Sequence, residues 1–381
     1  MSRPIYFDSN ATTPVEQEVL DRMIPFFTQE YGNPSNTTHS YGFVADEAIA
    51  AARRQVADLL GADSSEIVFT SGATEAINTI IKGLSHGRTS GHILTIETEH
   101  KAVLAACASL EEDGIETTCL PVDENGLITA HQVAEALRPD TFLVSVMWAN
   151  NETGVVMPIR EIADVVAGHE ALFFTDSTQA IGKLPVDVEG VDLMACSAHK
   201  FYGPKGVGAI YVRSGEPLIS IPQLLHGGAQ EKGRRASTSN VPGIVGMGVA
   251  SEMARLNQER DETEMARRRD RFEAQVGSAF PNVTFNGAGA ERLPQTCNAT
   301  FSGIVASEMM AEIGRIAVSM GSACTSGSGK PSHVLSAMGI SPEDAQGTIR
   351  FSMGRHTTDA EVDEAASLLV EYASTHELSP A

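Results

Sequence analysis

Lys200 closes the stretch Ser197-Ala198-His199-Lys200, and Asp176 stands upstream of it in Thr175-Asp176-Ser177-Thr178-Gln179. An amine and a carboxylate of this kind are what pyridoxal 5'-phosphate requires. The lysine holds the cofactor as a Schiff base, and the aspartate keeps the pyridinium nitrogen protonated so that the ring draws electrons. Lys200 follows the apolar run Val191 to Cys196 and precedes Gly203-Pro204-Lys205-Gly206, which predicts an amine at the end of a buried strand. From these two segments alone, a strand terminus that merely carries polar residues is the alternative.

Other residues offer the rest of such a site. Ser71-Gly72-Ala73-Thr74-Glu75 follows a predicted strand and opens a predicted helix, so the Ala73 and Thr74 amides and the Thr74 hydroxyl can meet a phosphate at the positive helix end. Simple N-capping by Ser71 or Thr74 is the alternative there. Ser197 and His199 add two phosphate donors, and Thr238 can supply another from elsewhere in the assembly. His100 and Asn151 each follow a predicted strand, where ligands of open α/β sheets collect. An imidazole there can stack on a cofactor ring and move protons, or be purely structural. Asn151 can reach the cofactor or a substrate carboxylate, and Gln179 a phenolic oxygen.

Of the five cysteines, Cys324 lies among small residues in Gly321-Ser322-Ala323-Cys324-Thr325-Ser326-Gly327, a setting that predicts a tethered, exposed and reactive thiol. An exposed cysteine without a role is the alternative. Cys196 falls in an apolar strand and is expected to be packed and inert. Arg350, in the strand-like Thr348-Ile349-Arg350-Phe351-Ser352, suits a bidentate clamp on an amino-acid carboxylate, with a buried ion pair as the alternative.

The elements that position these residues alternate along the chain. Helices over 45–60, 73–84 and 159–167 separate strands over 66–70, 92–96, 141–147, 171–175, 191–196 and 207–212, the pattern of a parallel sheet covered by helices. A long helix to about Val276 follows, with Arg267-Arg268-Arg269 expected as a solvated face. Shorter strands over 298–302, 316–320 and 348–352 predict a second, α+β domain.

The chain of 381 residues is long enough for two domains. Its net charge of −22 argues against a nucleic-acid-binding surface. The cysteines are odd in number and lack a C-x-x-C pair, so neither disulfides nor a metal site is expected, and a reducing cytoplasm fits best. Neither an export signal nor a membrane span is expected.

With these residues in view, the chain resembles, nearly end to end, the long-loop cysteine desulfurases of the class V aminotransferase superfamily. The matching motifs are Asp8-Ser9-Asn10-Ala11-Thr12-Thr13-Pro14, Tyr31-Gly32-Asn33-Pro34-Ser35, Ser71 to Glu75, Thr98 to Lys101, Asn150 to Gly154, Asp176 to Gln179, Ser197 to Gly206, the Cys324 stretch and Ile349 to Ser352. The resemblance implies an α/β, fold-type I transferase with a mostly parallel seven-stranded sheet. Residues 15–255 would form the large cofactor domain, and residues 1–14 with 256–381 a smaller α+β domain carrying Cys324.

It further implies Lys200, His100 and Cys324 as catalytic and Ala73, Thr74, Asn151, Asp176, Gln179, Ser197, His199 and Thr238 around the cofactor. Thr238 would come from the neighbouring subunit of a homodimer, while Asn33, Asn151 and Arg350 would hold the substrate carboxylate. The implied reaction converts L-cysteine to L-alanine and leaves a persulfide on Cys324 for an acceptor protein of iron–sulfur assembly, tRNA thiolation or DNA phosphorothioation. Cys324 would share an iron–sulfur ligand role only transiently with a partner. A related aminotransferase, a selenocysteine or cysteine-sulfinate lyase, and a non-catalytic scaffold are the other readings.

Overall fold

The computed structural model describes residues 3–320 and 331–376. Its strands, in chain order, are β1 (Ile5–Tyr6), β2 (Ile67–Thr70), β3 (Gly91–Ile96), β4 (Ile115–Leu120), β5 (Thr141–Ser145), β6 (Leu172–Asp176), β7 (Leu193–Ser197), β8 (Gly208–Val212), β9 (Val283–Phe285), β10 (Thr296–Phe301), β11 (Ile316–Ala317), β12 (Ser319–Met320) and β13 (Thr348–Ser352). Strands β2 to β8 build a seven-stranded sheet in the order β2-β8-β7-β6-β5-β3-β4. All its neighbours run parallel except β8, which is antiparallel to both β2 and β7.

Both faces of this sheet are covered, which is why its central strands read as continuous apolar runs. Successive side chains alternate between the two faces. Val144, Phe173 and Met194 enter one core, with the helices Ser40–Leu60 and Ile159–Val166. Leu143, Phe174 and Leu193 enter the other, with the helices Ala73–Ser85 and Lys101–Ala108. Strand β4 escapes the sequence pattern because it is an edge strand, and Glu116 and Cys119 on it are exposed.

A third core gathers Ile5 and Phe7 with Phe272, Phe301, Phe351, Val362 and Leu369. Here β12, β13, β10 and β9 form an antiparallel sheet, and β1 pairs in parallel with β11. The helix Val241–Ala279, 39 residues long, joins the cores: Ile244 and Met247 enter the large-sheet core, Phe272 and Val276 the third. Asn240 caps it, its Oδ1 accepting from the Gly243 amide at 3.1 Å.

The arginine run on this helix departs from a purely solvated face. Arg267 Nη2 donates to Asp359 Oδ1 at 2.7 Å, Arg268 Nε donates to the same carboxylate at 3.2 Å, and Arg269 Nη1 donates to the Leu293 carbonyl at 3.1 Å. The run therefore fastens the helix Asp359–Thr375, whose first turn supplies the acid. Among the described residues, no helix is long and apolar enough to cross a membrane.

Candidate active site

At the carboxyl edge of the large sheet, β6 ends on Asp176, β7 ends on Ser197 and runs into the short turn Ala198–Lys200, and His100 and Asn151 lie beyond β3 and β5. A cavity of about 540 Å³ opens there, within the ~300–1,000 Å³ usual for small-molecule sites. It brings together Ala73, Thr74, His100, Asn151, Asp176 and Gln179, and with them Ser197, His199, Lys200 and Arg350. Asn33 and Thr238 lie outside it. Asn33 is exposed, and its Oδ1 accepts from the Ser35 amide at 3.0 Å. Thr238 is exposed on a neighbouring cavity of about 220 Å³, which shares Ser71 and Gly206 with the first. Cys324 lies outside the described residues.

The N-terminal motif closes one side of the cavity. Lys200 Nζ donates to the carbonyls of Asn10 and Ala11 at 2.6 and 2.8 Å, and Gln179 Nε2 donates to the Asn10 carbonyl at 3.0 Å. Asn10 stands in the N-terminal motif without a role read from sequence, because its contribution here is a backbone oxygen that no side-chain pattern advertises.

Arg350 lines the cavity and makes the buried ion pair that is one of its two readings. Its Nη2 donates to Asp8 Oδ1 at 2.8 Å and to Ser319 Oγ at 2.9 Å, and its Nη1 donates to the Asn151 carbonyl at 2.8 Å. Nε finds no partner among the described residues. The guanidinium is thus fixed by an ion pair and a backbone carbonyl, with its buried Nε left without a partner among the described residues.

Burial sets the charge states. It lowers the Lys200 amine from 10.5 to about 8, helped by Arg350 and opposed by Asp176 and Asp8. It lowers His199 to about 4, with Lys200, Lys205 and Lys183 adding to the effect, so that imidazole is neutral. His100 is also lowered, chiefly by desolvation, against the pull of Asp176. Its Nδ1 accepts from the Ala102 amide at 3.1 Å, so the proton of the neutral ring resides on Nε2.

Two further buried groups adjoin the site. Glu99 is fully buried and its carboxyl is pushed well up, by desolvation and then by Asp176, which favours its neutral form. Lys183, lowered to about 7 by burial and by Lys200, donates to the Gln179 carbonyl at 2.9 Å. Sequence gave no sign of either, because only the packing of β5, β6 and their neighbours removes these groups from water.

The cavity fits pyridoxal phosphate. The helix Ala73–Ser85 starts at Gly72 with no side-chain cap, so neither Ser71 nor Thr74 spends its oxygen on capping. Gly72 has φ +154°, a conformation that favours glycine and lets the turn lie close to Ser197. Beside the Asp176 carboxylate, the buried Thr178 Oγ1 and Gln179 Oε1 lack partners among the described residues.

A lysine at a carboxyl-edge cavity of a mostly parallel seven-stranded sheet, facing a buried aspartate and an uncapped helix end, defines the fold-type I class of pyridoxal-phosphate enzymes. The chain belongs to the aminotransferase class-V family, whose model matches residues 5–365. It is 46% identical to a protein named cysteine desulfurase IscS of Anaeromyxobacter dehalogenans (strain 2CP-C), over all of this chain and 95% of that one. Among solved structures, a NifS-like protein superposes with a TM-score of 0.90 at 37% identity, covering 98% of this chain and all of the other. A structure described as SspA in complex with cysteine superposes with a TM-score of 0.82 at 40% identity, covering 93% of this chain and 99% of the other.

Proposed function

We propose that this chain is a pyridoxal-phosphate-dependent cysteine desulfurase, which converts L-cysteine to L-alanine and leaves the sulfur as a persulfide on Cys324. The observation that carries this reading is the convergence of Lys200, Asp176, the uncapped helix end at Ala73 and the fixed Arg350 guanidinium in one cavity. The names of its relatives supply the substrate. Bound there, pyridoxal phosphate provides an electron sink for the substrate Cα.

The chain's own residues do the rest. Lys200, lowered to about 8, has a substantial neutral fraction near pH 8 with which to hold the cofactor and to move a proton at Cα. Asp176 would hold the ring nitrogen, Gln179 the phenolic oxygen, and Ala73, Thr74, Ser197 and His199 the phosphate. Arg350 takes the substrate carboxylate with Asn151, and His100, protonated on Nε2, has a proton to give at the cavity. In the sulfur step the substrate Cβ–S bond breaks and a bond forms between that sulfur and Cys324 Sγ. L-Cysteine and a thiol thus become L-alanine and a persulfide, with no external oxidant.

The same reading assigns residues 15–255 to the cofactor domain and 1–14 with 256–381 to the smaller one. It makes the working unit a homodimer in the cytoplasm, with Thr238 serving the partner's site and Asn33 the substrate carboxylate. The position of Thr238 outside its own chain's cavity supports that arrangement, as does the exposed group of Ile24, Phe27, Tyr31, Tyr41 and Phe43. The persulfide then passes to an acceptor protein.

The test is Cys324→Ser. The variant is expected to keep its cofactor and bind L-cysteine but carry no persulfide and form almost no alanine. In the wild type, mass spectrometry after incubation with L-cysteine is expected to find about 32 Da, one sulfur, on the Cys324 peptide, removable by a thiol. Cys196→Ser is expected to stay active, because burial pushes that thiol up to about 12. Alanine and sulfide from Cys324→Ser at the wild-type rate would replace this reading with a lyase.

A further inference from the structure

His333 bonds to the peptide that carries His100, from a helix far away in the chain. Ser332 caps the helix His333–Ala337, its hydroxyl accepting from the amides of Val334 and Leu335 at 3.1 and 3.4 Å. The same hydroxyl donates to Glu152 Oε2 at 2.6 Å, and Val334 and Leu335 are buried. So held, His333 brings its Nε2 to 2.8 Å from the Glu99 carbonyl. A carbonyl only accepts, so His333 carries its proton on Nε2 and donates it.

That carbonyl shares a peptide unit with the His100 amide, and the amide donates to Glu99 Oε2 at 3.2 Å. One edge of the peptide plane leading into His100 is therefore held by His333, and the other by the buried Glu99 carboxyl. Beyond it the imidazole is held by the Ala102 amide on Nδ1. Without His333 the plane can rotate about its single remaining hold, and the ring moves with it.

The geometry points to His333 as a positioning residue for His100, which ties the aim of the imidazole to the helix His333–Ala337. The inference rests on the desulfurase reading for its kinetic consequence, though not for its structural one. A purely local structural bond would affect stability. A positioning bond changes the ring itself and the chemical step.

The experiment compares His333→Ala with His333→Gln, whose amide can still donate to the carbonyl, using two readouts. In cofactor-free protein, the ¹⁵N resonances of the His100 ring are expected to shift toward tautomer averaging in H333A and to stay near wild type in H333Q. In holoenzyme, kcat for alanine formation is expected to fall roughly tenfold in H333A, short of the ~10²-fold that a 1 Å misplacement can cost, with KM for L-cysteine within about twofold. H333Q is expected to recover most of that loss.

If H333A does not fold, His333→Glu replaces it, since a carboxylate cannot donate to the carbonyl. Unchanged His100 resonances and unchanged kcat in the non-donating variant would overturn the inference, and so would H333Q being as slow as that variant. A wild-type holoenzyme that forms no persulfide would overturn the desulfurase reading instead, and the ring resonances would still decide the role of His333.

Discussion

Lys200 and Arg350 show how one site gives two cations different work. Burial lowers the Lys200 amine to about 8, while Arg350 presents a planar fork of donors. The neutral amine is the nucleophile. Cofactor capture by cofactor-free protein should therefore accelerate as pH rises to about 8 and then level, where an ordinary lysine would keep gaining toward ~10.4. A rate still climbing above pH ~9 would contradict the lowered amine. Lys200→Ala should abolish the borohydride-reducible absorbance band, and a pyridoxyl group found on Lys205 would refute the assignment. Arg350→Ala should raise KM for L-cysteine roughly ten- to a hundredfold, the equivalent of the ~1.5–3 kcal/mol of a charge-assisted pair, with cofactor content retained. Unchanged steady-state kinetics would leave Arg350 only its pairing with Asp8.

The elements meet tightly where β8 passes the Gly72 turn. A Cβ on Gly208 would lie 2.5 Å from the Cys196 carbonyl oxygen and 2.7 Å from the Gly72 Cα, both backbone atoms with no rotamer to yield. Gly208→Ala should cost about 1–3 kcal/mol by overpacking and push the uncapped helix end away from Ser197. A lower melting temperature together with weaker cofactor binding is the expected result, and a variant as stable as the wild type would show that the turn adapts. Strand limits drawn from apolar runs agree with β5 to β8 to within two residues, because burial on both faces leaves little ambiguity of register. Edge strand β4 was missed for the opposite reason, since its polar, exposed positions obey no strand rule strong enough to read alone.

At the scale of the molecule, the site depends on packing outside the large sheet. Phe272, fully buried, meets Phe7 edge-on at 5.7 Å and Phe351 at 4.9 Å. Phe7 precedes Asp8 and Phe351 follows Arg350, so one ring packs beside the neighbours of both partners in the ion pair. Phe272→Ala should lower stability by about 3–5 kcal/mol in urea unfolding and also raise KM for L-cysteine. Loss of stability with an unaltered KM would separate the third core from substrate binding. The charge of −22 bears on the molecule as a whole and not on the cavity, where Lys200 and Arg350 stand against Asp8 and Asp176.

Much of the candidate site was legible in the chain itself. Lys200, Asp176, His100, Ser197 and His199 sit at ends of apolar runs, and an open α/β sheet gathers strand ends at one edge, so local pattern already implied their meeting. The arginine run was legible only in part, since a helix face that looks solvated can be taken up by an acid such as Asp359 from another helix. Contacts between backbone and side chain across hundreds of residues could not be read. The Asn10 carbonyl under Lys200, the Asn151 carbonyl at Arg350 and the His333 donor at the Glu99 carbonyl are of this kind. Neither residue type nor spacing encodes them, because a carbonyl is present at every position and only the packed backbone decides which one faces a donor.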